Sequence, residues 1–159
     1  MSGDKALSRA KWLALRYLAT RARSRAEAAA YLGKKEVPEE HIEHTLSYLE
    51  EYGYIDDRKF AATYSRYLIE KKGLSRRALA FELKKKGVSE EDASPALEEL
   101  FGDGGEDEYE VALRMARKKA ATLKGVEREK ARRRLAGFLQ RRGYSFEVVR
   151  KTLRELGKP

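Results

Sequence analysis

The sequence contains no cysteine, which excludes a disulfide framework, a thiolate nucleophile and a thiolate metal site. Three prolines in 159 residues leave long helices uninterrupted. Histidine is nearly missing too. His41 and His44 stand three apart with no further ligands at close spacing, so they are expected to be solvated rather than to hold a metal. No apolar run approaches the roughly 20 residues of a membrane span, and Lys5, Arg9 and Lys11 break up the first apolar stretch where a secretory core would lie. No glycine-rich phosphate loop occurs. These absences point away from catalysis, cofactors and membranes, and towards a reducing cytoplasm.

What is present is charge. Lys, Arg, Asp and Glu make up 38% of the chain, and the net charge is +9. Residues 1–52 carry 9 basic and 8 acidic side chains, residues 53–103 carry 10 and 10, and residues 104–159 carry 16 and 8. The excess therefore sits in the last third. A localised excess of this kind suits an acidic partner surface, phosphate or protein.

A composition rich in Ala, Leu, Glu, Lys and Arg favours helices, and the apolar spacing repeats. Residues 24–49 lie over 75–100 without a gap, matching Ser24 with Ser75, Leu32 with Leu83, Val37 with Val88 and Leu46 with Leu97. Residues 75–100 lie over 131–156 in the same way, matching Leu83 with Leu139, Gly87 with Gly143, Ser89 with Ser145 and Leu97 with Leu153. The pattern predicts an all-α protein of three tandem three-helix modules, at 1–55, 56–102 and 103–159, in an elongated, curved row. First helices are predicted near 5–20, 57–71 and 107–123, middle helices near 24–32, 75–86 and 127–142, and last helices near 39–52, 90–101 and 146–156. Ser24 with Glu27 reads as a capping box, and Ser89 and Ser145 as N-caps. Gly87 and Gly143 suit the left-handed position past a helix end. The first module has Glu36 there, with Gly33 earlier, so its turn is expected to differ. The junction Gly53-Tyr54-Ile55-Asp56 is expected to be packed and stiff, and Gly102-Asp103-Gly104-Gly105-Glu106-Asp107 to be a hinge.

Candidate binding residues follow from the helical wheel. On the helix near 107–123, Ala112, Ala116, Ala120 and Leu123 face inward with Tyr109 beside them, and Arg114, Arg117 and Lys118 project oppositely as one patch. On the helix near 127–142, Ala131, Leu135, Phe138 and Leu139 face inward, and Lys130, Arg134 and Arg141 line one flank. Arg150, Lys151 and Arg154 add charge on the last helix. Few carboxylates interrupt this set, which suits phosphate or an acidic protein groove. A second candidate is the helix near 75–86, where Phe81 points away from Leu79 and Leu83 and lies between Arg77, Lys84 and Lys85. An aromatic in that setting stacks on a base or anchors a protein contact, but packing on the next module is the simpler expectation. Trp12, Tyr17 and the other tyrosines are expected in the core or at module junctions. Asp56 and Asp57 read as a cap for the helix starting near 57, not as a catalytic carboxylate pair.

The run Tyr52-Gly53-Tyr54-Ile55-Asp56-Asp57-Arg58-Lys59-Phe60-Ala61 resembles the signature of the RecX family. So do Lys72-Gly73-Leu74-Ser75-Arg76-Arg77-Ala78-Leu79, Glu82-Leu83 and Lys86-Gly87-Val88, and, near the start, Ala14-Leu15-Arg16-Tyr17-Leu18, Arg23-Ser24 and Ala26-Glu27. The resemblance covers nearly the whole chain. It implies tandem tri-helical modules and a bacterial regulator that binds the RecA–single-stranded-DNA filament and suppresses its ATPase, strand exchange and coprotease activities. It implies no enzyme activity and no cofactor. Single-stranded DNA, bound weakly and without sequence preference, and duplex DNA are further expected partners of a monomeric protein. A stand-alone DNA-binding helical protein and a helical-repeat adaptor for proteins are the competing readings of the residues themselves.

Overall fold

The computed structural model describes residues 2–102 and 107–158. Among them are nine helices and no strand: α1 Ser2–Thr20, α2 Arg25–Lys34, α3 Glu39–Glu51, α4 Asp57–Lys72, α5 Arg76–Lys85, α6 Glu90–Phe101, α7 Glu108–Ala121, α8 Arg128–Arg141 and α9 Phe146–Leu156. The all-α class and the three sets of three helices agree with the periodicity. Of the expected hinge, Asp103, Gly104, Gly105 and Glu106 lie outside the described residues.

The chain forms two compact units, Met1–Ala62 with Leu83–Ala93, and Thr63–Glu82 with Ser94–Pro159. In the first unit, α1, α2 and α3 pack on one another around Ala10, Leu13, Ala14, Leu32, Ile42, Leu46 and Leu49. Ile55 of the short junction joins this core, whereas Tyr54 beside it is 55% exposed, so the junction carries one packed side chain and not two. In the second unit, α7, α8 and α9 pack around Val111, Ala112, Met115, Leu135, Phe138, Leu139, Val149 and Leu153.

The middle helix of each module ends the same way. Val37, Val88 and Tyr144 donate their N–H groups to the carbonyls of Leu32, Leu83 and Leu139, and Glu36, Gly87 and Gly143 donate to Gly33, Lys84 and Gln140. This paired bonding is the Schellman motif, which needs a left-handed residue past the helix end. Gly87 and Gly143 take φ 78 and 90, and Glu36 takes φ 62. The first module's turn therefore does not differ, because a glutamate accepts the left-handed backbone that glycine adopts elsewhere.

The start of a middle helix is a joint, and each compact unit holds one. In the first unit Ser24 is fully buried. Its Oγ accepts the Glu27 N–H and donates to the Lys86 carbonyl at 2.6 Å, while the Arg25 N–H donates to Asp57 at 2.8 Å. In the second unit Ser75 Oγ accepts the Ala78 N–H, the Ser75 N–H donates to the Arg142 carbonyl at 3.0 Å, and the Arg76 N–H donates to Glu108 at 2.6 Å. A helix N-terminus leaves N–H groups without intrahelical partners. Here a carboxylate from the next module's first helix takes one of them. The glycine corners close the joints: a Cβ on Gly87 would run into Ala26, and one on Gly143 would stand 2.5 Å from Ser75 Oγ.

Candidate partner-binding surface

On α7 the buried stripe is Val111, Ala112, Met115 and Ala116, with Ala120 only half-buried. The wheel centred on alanines missed Val111 and Met115, whose positions one residue before each alanine widen the same face. Arg114, Arg117 and Lys118 are exposed as expected, but they do not share one setting. Arg114 and Lys118 line an open cleft with Arg66, Ile69, Glu70 and Leu100. Arg117 lies towards α9, where its charge adds to the hydrogen bond from Lys158 that holds the Glu155 carboxyl below its ordinary range.

On α8, Leu135, Phe138 and Leu139 are buried and Ala131 is half-buried, while Lys130, Arg134 and Arg141 are exposed. Gly137 continues their row, and Arg141 Nη1 lies 3.1 Å from where its Cβ would be, so the guanidinium folds over the glycine. Arg128, Arg132 and Arg133 are exposed as well and lie off that flank, which is why the wheel passed over them. Lys118, Lys130, Arg134 and Arg141 form no salt bridge among the described residues.

Other cations of this module are engaged locally. Lys151 Nζ lies 4.1 Å from the centroid of the half-buried Tyr109, and Arg150 Cζ 5.5 Å from that of Phe146. Arg154 is exposed. Arg142 is structural: it lies 3.8 Å from the Phe138 centroid and its Nε donates to the Lys72 carbonyl at 2.8 Å. Burial lowers its pKa, and the charge of Arg141 adds to this.

On α5, Leu79 and Leu83 are fully buried, and Arg77, Phe81, Lys84 and Lys85 are exposed. Arg77 and Phe81 belong to the second compact unit, Lys84 and Lys85 to the first. Phe81 is 61% exposed, so it is not a core residue. Trp12, Tyr52, Tyr54 and Tyr67 are more than half exposed and so are not core residues. His41 is not solvated as expected; its side chain is only 21% exposed, with Nε2 3.9 Å from Glu40. His44 is exposed. No group of three His, Cys, Asp or Glu side chains placed for a metal occurs among the described residues. Asp56 accepts the Lys59 N–H and caps α4. Asp57, which accepts the Arg25 N–H instead, is pushed above the ordinary carboxyl range by burial, and that hydrogen bond opposes the shift. The two neighbouring carboxylates thus have separate structural roles.

No helix among the described residues is long and apolar enough to cross a membrane. The chain matches the models of the first, second and third three-helix domains of RecX over residues 10–49, 56–97 and 106–153. It is 39% identical to the regulatory protein RecX of Streptomyces coelicolor over 156 residues, covering 96% of this chain and 81% of that protein. It is 36% identical to the regulatory protein RecX of Thermobifida fusca, covering 93% and 78%. Its fold is similar to the crystal structure of RecX from Lactobacillus salivarius, with a TM-score of 0.79 at 23% identity, covering 96% and 97% of the two chains. With three successive domain models matched in order and relatives this similar along nearly its whole length, the chain belongs to the RecX family of regulatory proteins.

Proposed function

We propose that this chain is a negative regulator of a RecA-type recombinase, and that it binds the RecA–single-stranded-DNA filament and inhibits its ATPase, strand exchange and coprotease activities. Family membership supports the regulatory role. The observation that carries the binding mode is a set of exposed cations on α7 and α8 that pair with no carboxylate among the described residues. Lys118, Lys130, Arg134 and Arg141 are in that condition, and Arg114, Arg117, Arg150, Lys151 and Arg154 extend the charge around them. Exposed unpaired cations attract phosphate and acidic protein surfaces together. Arg77, Phe81, Lys84 and Lys85 are proposed as further contacts. The chain acts by binding and not by turnover, as three modules divided at 55/56 and 102/103.

The test is the ATPase of a recombinase filament on single-stranded DNA, with the purified chain titrated in. The rate is expected to fall with dose, and the inhibition to weaken in high salt, where screening shortens the reach of surface charge. Without recombinase, binding to single strands is expected to be weak and independent of sequence. If roughly four to six phosphates are neutralised, the log–log salt slope is about −3 to −4. An unchanged ATPase at saturating chain, or tight selection of one duplex sequence, overturns the reading.

A further inference from the structure

The near-neutral balance of the first 52 residues hides a separation of charge. Residues 1–25 carry 7 basic and 1 acidic side chain, and residues 26–52 carry 2 and 7. The charge of α1 is therefore positive and that of α3 negative. Arg25 is drawn to α3, bonding Glu50 at 2.6 Å and Glu43 at 3.1 Å.

Where α1 meets α2, the positive charge stands among aromatic rings. Trp12, Leu13, Arg16, Tyr17 and Thr20 of α1, with Tyr31 of α2 and Lys35 at its C-cap, line an open groove to which no carboxylate among the described residues contributes. Tyr17 and Tyr31 stack with centroids 4.1 Å apart and planes 2° apart. Arg23 Cζ lies 4.1 Å from the Tyr17 centroid, and because Tyr31 covers one face of that ring, the guanidinium must take the other. Lys35 Nζ lies 5.6 Å from the Tyr31 centroid. Tyr31 and Arg23 thus cover both faces of Tyr17. Trp12 is different. It is 54% exposed, with Arg16 Cζ over its ring 4.8 Å from the centroid. An indole is strongly buried on average, and leaving one in water gives up a large apolar area.

We propose that this groove binds single-stranded nucleic acid, with an unpaired base stacked on the Trp12 indole and the adjoining phosphates held by Arg16 and Lys35. The chemistry favours this occupant. Every base offers a flat π-face, and an aromatic flanked by Arg or Lys is the usual platform for it. A duplex keeps its base faces covered. An acidic peptide would satisfy the two cations and leave the indole in water. The site is independent of the third module's charge: it lies in the other compact unit, and it reads bases as well as phosphates.

Trp12 is the only tryptophan, so its fluorescence reports the site directly. The full chain is titrated, without recombinase, with a thymidine oligonucleotide of about twelve nucleotides, within the span that single-strand-binding modules cover. Saturable quenching is expected. A strand of equal length with abasic sugars, and a duplex, should quench little. Trp12→Ala should weaken binding of a labelled oligonucleotide, read by anisotropy, about fivefold or more, and Trp12→Phe should restore most of the loss. Residues 104–159 hold no tryptophan, so the quenching reports this groove alone and separates it from the third-module reading. Equal quenching by the abasic strand, no quenching by any strand, or unchanged affinity in Trp12→Ala overturns the proposal. Quenching by polyglutamate but not by the oligonucleotide overturns it in favour of an acidic protein partner.

Discussion

Glu36 takes the left-handed backbone, φ 62, at the corner where the other two modules place Gly87 and Gly143. A side chain with a Cβ pays steric strain of about 1–2 kcal/mol there, and glycine does not. Part of that gain is offset by the greater freedom of glycine in the unfolded chain. Glu36 is exposed, so nothing of the core is lost on substitution. Glu36→Gly is therefore expected to raise stability by about 0.5–1 kcal/mol, measured as a higher urea midpoint at unchanged slope. An unchanged or lower midpoint would show that the Glu36 side chain compensates for its strain. The corner's position was legible, because the repeat aligns Glu36 with the two glycines. Its conformation was not, since residue type alone argued for a different turn. Trp12, Tyr52, Tyr54 and Tyr67 failed for the opposite reason. Aromatic identity gives the size of the apolar surface but not whether a neighbour covers it.

The helices were legible as elements because their apolar residues repeat at 3.6 spacing and their caps are local. Ser24, Ser89 and Ser145 all accept the N–H they were expected to cap. The joints were not legible, because they pair residues far apart in sequence. Glu108 bonds the Arg76 N–H just as Asp57 bonds the Arg25 N–H, and periodicity within a helix says nothing of either bond. Removal of one such acceptor leaves a part-buried helix-end amide without its bond. Glu108→Ala is expected to lower stability by about 1 kcal/mol. Gly143→Ala should be worse, by about 2 kcal/mol or more. Its backbone sits at φ 90, and the new Cβ would crowd Ser75 Oγ and the Ala78 Cβ at 2.5 and 2.9 Å. Thermal melts of the two variants check the order. A Gly143→Ala protein as stable as the wild type would mean that the close approach in the second unit relaxes freely.

At the scale of the whole chain, the excess of cations in residues 104–159 was legible by counting. Counting did not show which of them are taken. Arg142 is committed to Phe138 and the Lys72 carbonyl, and Lys151 to Tyr109. Nor did the count over residues 1–52 show the opposed charges of α1 and α3, which cancel within that window. What the exposed cations contribute to partner binding is best tested on α7. Arg114, Arg117 and Lys118 are exposed opposite a face that buries Val111, Ala112, Met115 and Ala116, so they carry no core duty. Two of the three line the cleft with Arg66 and Glu70, so reversal changes the charge of a concave surface and not only of a convex one. Exposed substitutions usually change stability by no more than about 0.5 kcal/mol each. The variant with all three reversed to Glu should therefore keep its helicity and nearly its melting temperature. Reversal moves the module's charge by six units, and an acidic filament surface that attracted the wild type would repel the variant. Dose–response curves for inhibition of the filament ATPase are the measurement. At low salt the variant should need at least about tenfold more protein, which corresponds to about 1.4 kcal/mol of lost binding. The gap should narrow as salt rises, because screening removes the wild-type attraction as well as the variant's repulsion. Superimposable curves at low salt would place the grip elsewhere, and the exposed residues of α5, Arg77, Phe81, Lys84 and Lys85, would then be the next to reverse or truncate.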